Sequence, residues 1–215
     1  MIKAVIFDLD GTVGNTLPLC IAAFRMAVEP LAGKTLSDED IIATFGPSEE
    51  GTIMKLVPGH YQQGVESYLR HYEELHNMCP LPFEGMRELI QKLKSAGIIV
   101  AMVTGKGQKS CEITLNRYDM RHLFDKIETG SPDGQRKKEG IRAVLDSFGL
   151  KPSEAVYVGD APSDIEACHQ IEVPIIAAAW AETADPQGLI SFNPLRIFYS
   201  VPEFSDYLLK TISKL

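Results

Sequence analysis

Short apolar runs recur along this chain, each about the length of a buried strand and each followed by a stretch with helical spacing. Ala4-Val5-Ile6-Phe7, Ile98 to Val103 and Ala155-Val156-Tyr157-Val158 are apolar at every position, as strands covered on both faces are. A shorter run near Ile127-Glu128-Thr129 and another from Val173 to Ala179 complete the set. Between them, Gly85 to Ala96, Lys109 to Tyr118 and Lys137 to Phe148 read as amphipathic helices, with further helices from Ser163 and after Pro202. Such alternation predicts an α/β fold: a doubly wound parallel sheet with helices on both faces.

The rhythm breaks once. From Thr16-Leu17-Pro18 to Cys79-Pro80-Leu81-Pro82 the pattern is helical only. Leu19 to Val28 has helical apolar spacing, Ser37-Asp38-Glu39-Asp40 looks like a helix start, and Tyr61 to Leu75 reads as a longer amphipathic helix. The expectation is an inserted α-helical cap domain over residues 15–80, carried by a catalytic core of residues 1–14 and 81–215. Its hinges fall near Gly14-Asn15 and Cys79-Pro82.

Composition narrows the class without choosing it. A chain of 215 residues, 45% hydrophobic and 23% charged, can bury an ordinary core and hold either one domain with a large insertion or two small domains. The net charge of -8 argues against nucleic acid as a partner, because affinity for that backbone comes largely from Lys and Arg. No apolar run reaches membrane-spanning length, so no membrane partner is expected. Cys20, Cys79, Cys111 and Cys168 lie far apart, which indicates neither a disulfide framework nor a zinc site and suits reduced thiols in the cytoplasm. The five histidines show no metal-ligand pairing, and the aromatic set near the carboxyl end reads as packing for the last elements.

Candidate chemistry sits at the strand ends. Asp8-Leu9-Asp10-Gly11-Thr12 follows the first apolar run, and Gly159-Asp160-Ala161-Pro162-Ser163-Asp164 follows the third. In an open α/β sheet the crevice beyond the carboxyl ends of the strands is where ligands bind. Hard oxygen donors from two strand ends suit Mg2+, which takes a few carboxylates and keeps the rest of its shell for water and phosphate. Asp8, Asp10 and Asp160 are the candidate ligands. Either segment alone could be a strand-ending turn, with Asp164 merely opening a helix after Ser163.

These two segments resemble those of the haloacid dehalogenase-like hydrolase superfamily, and more narrowly its phosphoglycolate phosphatase-like members with a helical cap. The resemblance implies an aspartate nucleophile at Asp8, a second acid at Asp10 serving as general acid and base, and magnesium held by Asp8, the Asp10 backbone carbonyl and Asp160, with Asp164 steadying it. It also implies that Thr104, at the end of the second strand, binds the phosphoryl group with backbone amides around Leu9 and Gly105. Many relatives have Asn where Gly105 stands, so a backbone donor would replace a side-chain one here. The family's lysine falls in Arg136-Lys137-Lys138-Glu139, where the spacing selects Lys137 and leaves Lys138 open.

The implied reaction is hydrolysis of a small phosphorylated metabolite such as phosphoglycolate, a sugar phosphate or a nucleoside monophosphate. A phosphotransferase or mutase would share all these residues, and a non-catalytic phospho-acceptor module would share the acidic crevice. Within the cap, Phe45-Gly46-Pro47-Ser48-Glu49-Glu50-Gly51 looks like the loop that senses the leaving group, with Gly46 and Glu49 as substrate contacts. An acidic loop would repel a second anion on the substrate and favour a hydroxylated or cationic leaving group. The competing reading makes Ser48 a helix cap and lets both glutamates complement a helix dipole.

Overall fold

The computed structural model describes residues 1–213. Six parallel strands, β1 (Ala4–Phe7), β2 (Ile99–Val103), β3 (Lys126–Glu128), β4 (Ala155–Gly159), β5 (Ile175–Ala178) and β6 (Arg196–Phe198), form one sheet in the order β3-β2-β1-β4-β5-β6. Period-two geometry explains why the central runs are apolar throughout. Val5 and Phe7, Val100 and Met102, and Val156 and Val158 face one core cluster, while Ala4 and Ile6, Ala101 and Val103, and Ala155 and Tyr157 face another. Helices α5 (Met86–Ser95), α6 (Gln108–Arg117), α7 (Lys137–Phe148), α8 (Pro162–His169) and α10 (Val201–Ser213) supply the covering layers, with α9 (Pro186–Ser191) beside α8 and β6.

Strands β2 and β4 lie on opposite sides of β1. The chain therefore reverses its direction of travel across the sheet at β1 and β4, and such a switch point opens a crevice at the carboxyl ends. Phe7 pairs in register with both Met102 and Val158, so Asp8, Thr104 and Asp160 emerge at almost the same level.

The helical interval holds α1 (Leu17–Ala32), α2 (Asp38–Ile42), α3 (Glu49–Leu56) and α4 (Tyr61–Glu74), with short 3-10 turns after α3 and α4. It has its own apolar cluster, in which Leu19, Phe24 and Val28 of α1 meet Ile53 of α3 and Tyr68 and Tyr72 of α4. The start read at Ser37 is a capping box: Ser37 Oγ accepts the Asp40 amide at 3.1 Å and Asp40 accepts the Ser37 amide at 3.1 Å. Ser48 precedes α3 in extended backbone but makes no side-chain cap, and its hydroxyl donates to Glu50 at 2.6 Å instead.

Two elements were not anticipated. Strand β6 spans three residues and begins with exposed Arg196, and its Phe198 belongs to the aromatic set read as packing for the last elements. Helix α9 is six residues long, but its start had a readable signal in Asp185-Pro186, since Asp185 caps the Gly188 amide at 3.1 Å. Among the described residues no helix is long and apolar enough to cross a membrane.

Candidate active site

Asp8 leaves β1 where the ladder is still in force, its amide donating to the Val158 carbonyl at 2.9 Å. The turn that follows brings Gly11 over β4 with φ of 73°. A Cβ there would collide with the Asp160 carboxylate, so glycine meets both a left-handed backbone and a close approach. Thr12 Oγ1 lies 3.4 Å from Asp160 Oδ1, and the Thr12 carbonyl accepts the Trp180 indole N–H at 3.0 Å. The first acidic turn is thereby fastened to the second and to the rim of the sheet.

The carboxylates of Asp8, Asp160 and Asp164 each place an oxygen within 4.8 Å of the other two. Lys137, at the first turn of α7, donates to Asp8 Oδ2 at 2.6 Å and to Asp164 Oδ1 at 2.5 Å. Lys138 points elsewhere, 3.8 Å from surface Glu139. Asp164 is fully buried and also accepts the Tyr157 hydroxyl at 3.0 Å and the Ala161 amide at 3.1 Å. Asp8 Oδ1 accepts the Leu9 amide at 2.7 Å.

Crowding acids out of water has a visible cost. Burial, opposed by Lys137 and reinforced by the charges of Asp164 and Asp10, pushes the Asp8 carboxyl up to about 6. Burial and the neighbouring Asp8 and Asp164 raise Asp160 well above the usual carboxylate range. The pocket lacks positive charge for the acid it holds, and hard oxygen donors so arranged fit a magnesium ion.

Asp10 stands beside this group and faces a different set of partners. Its Oδ1 accepts the Thr16 hydroxyl and lies 3.2 Å from Lys106 Nζ. Lys106 was not singled out from the sequence. It is 5% exposed, follows Thr104-Gly105, donates to Cys20 Sγ at 3.1 Å, and sits 4.3 Å from the ring centre of Tyr72. Burial disfavours its charge, but Asp10 and the surrounding Cys20, Tyr68 and Tyr72 hold the ammonium well above the usual lysine range. The available signal was one lysine two residues past a strand-end threonine, indistinguishable in sequence from a solvated loop charge.

Thr104 is buried, its amide bonded to the Glu128 carbonyl at 3.0 Å and its Oγ1 accepting the Lys106 amide at 3.2 Å. Gly105 and Gly46 line the same cavity, about 310 Å³ in volume, which also touches Asp8, Asp10, Lys106, Lys137 and Asp160. Glu49 reaches the cavity from the helical insert. It is buried, accepts the Gly107 amide at 2.7 Å at the start of α6, and is bonded by the Ser110 hydroxyl. Burial raises its carboxyl pKa, with Lys106 and these hydrogen bonds opposing the rise. The sequence motif thus supplied a carboxylate that reaches across to the core, a contact that neither the repulsive-loop nor the helix-dipole reading specified.

A family model described as haloacid dehalogenase-like hydrolase matches residues 5–178. The pyrophosphatase PpaX of Bacillus cereus is 30% identical over 182 residues, which cover 83% of this chain and 84% of the relative. Among solved structures, a predicted phosphoglycolate phosphatase from Haemophilus somnus superposes with a TM-score of 0.80 at 23% identity, covering 98% of both chains. CbbY from Rhodobacter sphaeroides, solved in complex with phosphate, gives 0.76 at 19% identity over 93% of this chain and 95% of that one. At those identities the structural likeness speaks for the fold.

Proposed function

The chain belongs to the haloacid dehalogenase-like hydrolases, and from that premise we propose that it is a magnesium-dependent phosphatase cleaving a small phosphorylated metabolite through a phosphorylated Asp8. The observation that carries the reading is the meeting of Asp8, Asp160 and Asp164 around one point, with Lys137 bonded to two of them. Asp8 and Asp160, with the backbone carbonyl of Asp10, would hold the ion, and Asp164 would steady it. Bound there, magnesium would neutralise phosphoryl oxygens.

The chain's own residues do the rest. A carboxylate oxygen of Asp8 forms a bond to phosphorus as the bond to the leaving oxygen breaks. Asp10 gives its proton to that oxygen, then takes one from the water that attacks the phosphorylated Asp8, releasing phosphate and restoring both acids. Its Oδ1 is held by Thr16 and Lys106, which leaves the second oxygen for the transfer. Thr104, Lys137 and the amides near Leu9 and Gly105 orient the phosphoryl group, and positioning with charge neutralisation is most of the catalysis of phosphoryl transfer. Residues 15–80 act as a cap over this chemistry, on a core of residues 1–14 and 81–215.

A phospho-acceptor module would have no use for Asp10, which is placed beside a cavity that can hold a leaving group. The four cysteines are free and buried, in keeping with a cytoplasmic site of action. The test is phosphate release from p-nitrophenyl phosphate with and without magnesium, using wild type and Asp8→Asn. Magnesium-dependent release lost in the variant supports the proposal; release that survives in the variant overturns it.

A further inference from the structure

The part of the cavity furnished by the insert differs from the crevice below it. Leu17, Phe24, Ile42, Phe45, Pro47 and Tyr68 line it. Three of these form an aromatic group, with ring centroids 5.7 Å apart for Phe24 and Phe45 and 4.5 Å for Phe24 and Tyr68. Ile42 and Phe45 remain 44% and 37% exposed, although large apolar side chains beside a cavity gain by being covered.

Charges around the same cavity are spoken for. Its three basic residues each have an acidic partner: Lys137 with Asp8 and Asp164, Lys106 with Asp10 at 3.2 Å, and Arg136 with Glu128 at 3.3 Å. The start of α6 offers a backbone amide and a hydroxyl, which are donors an anion would use, and Glu49 already fills them through Gly107 and Ser110. A substrate with a second carboxylate or phosphate would meet the Glu49 carboxyl group already seated on the donors its own anion needed. Displacing Glu49 would leave a buried carboxylate without partners.

We infer that the substrate is a phosphomonoester whose leaving group is uncharged and largely apolar, ring-bearing or alkyl, and that Glu49 is the residue that excludes a second anion. The inference rests on the phosphatase reading and deepens it. It separates this chain from an enzyme for pyrophosphate or phosphoglycolate, both of which carry a second anionic group.

The experiment compares kcat/KM for benzyl phosphate and its para-carboxylate, two esters of similar leaving-group reactivity that differ in one distal charge, alongside pyrophosphate and phosphoglycolate. Benzyl phosphate is expected to lead its carboxylate by about tenfold or more, a difference of roughly 1.4 kcal/mol. Glu49→Gln keeps size and an acceptor oxygen, and should reduce that ratio to about threefold or less. Phe45→Ala, at a half-exposed position, should lower kcat/KM for benzyl phosphate by about fivefold while changing pyrophosphate less than twofold. Equal or better use of the para-carboxylate, pyrophosphate or phosphoglycolate by wild type overturns the inference alone, as does a benzyl phosphate rate insensitive to Phe45→Ala. No turnover of any ester overturns the phosphatase reading and this one with it.

Discussion

The crevice at the strand ends and the chamber under the helical insert share one cavity but are built on opposite principles. In the crevice, Asp8, Asp160 and Asp164 crowd within 4.8 Å, with Lys137 the cation bonded among them, so acid outweighs base and a divalent ion has a place to act. In the chamber, the buried charged groups already have partners, as with Lys106 on Asp10 and Glu49 on the start of α6, and much of the wall supplied by the insert is apolar. An unbalanced site performs chemistry, because a divalent ion that offsets the repulsion among its acids would also draw in a phosphoryl oxygen. A balanced one selects, because it offers a second charge nothing it does not already have.

That contrast can be broken most decisively in the crevice. Asp8→Asn should reduce kcat by on the order of 10⁴-fold or more, measured as phosphate release, if Asp8 is the nucleophile proposed above, since a nucleophile has no substitute. Asp10→Asn is expected to cost roughly 10²- to 10⁴-fold on alkyl phosphates and clearly less on p-nitrophenyl phosphate, whose leaving group needs little help from an acid. Equal losses on both esters would remove Asp10 from the acid role.

Smaller effects sharpen the comparison in stability. Magnesium at about a hundred times its dissociation constant should stabilise the fold by roughly 2.7 kcal/mol in urea titrations, and Asp160→Asn should erase most of that gain. Lys106→Met removes one member of a pair whose Asp10 partner retains some exposure, so a loss of about 2 kcal/mol is expected, with the magnesium effect retained because Asp8 and Asp160 keep their carboxylates. Tyr157→Phe deletes a hydroxyl that reaches the Val103 carbonyl at 2.7 Å and Asp164 at 3.0 Å, and should cost about 1 kcal/mol. A magnesium effect that vanished in Lys106→Met would mean that the chamber lysine is needed to hold the ion site together.

The two regions also differed in how far the sequence disclosed them. Crevice residues are local signals: an apolar run ending in Asp8-Leu9-Asp10-Gly11 states both the strand and the turn, and the parallel register carries Asp8, Thr104 and Asp160 to one level. Lys137 could be placed by spacing within its helix, with Lys138 excluded only by where the side chains go. Chamber residues are products of tertiary packing. Lys106 reads as a loop charge until α1 and α4 close around it, and Glu49 reads as a helix-start acid until its carboxylate is seen on Gly107, 58 residues away. Helix α9 is too short for a hydrophobic period to register, and β6 lies within an aromatic stretch that reads as packing until the sheet order is known.

Direct detection of the covalent intermediate tests the central claim best. Enzyme mixed with a ³²P-labelled phosphomonoester and magnesium, quenched in acid within a turnover and digested, should carry label on the peptide containing Asp8, and the label should vanish in Asp8→Asn. Turnover that proceeds at full rate while no label is ever found on Asp8 would contradict the account.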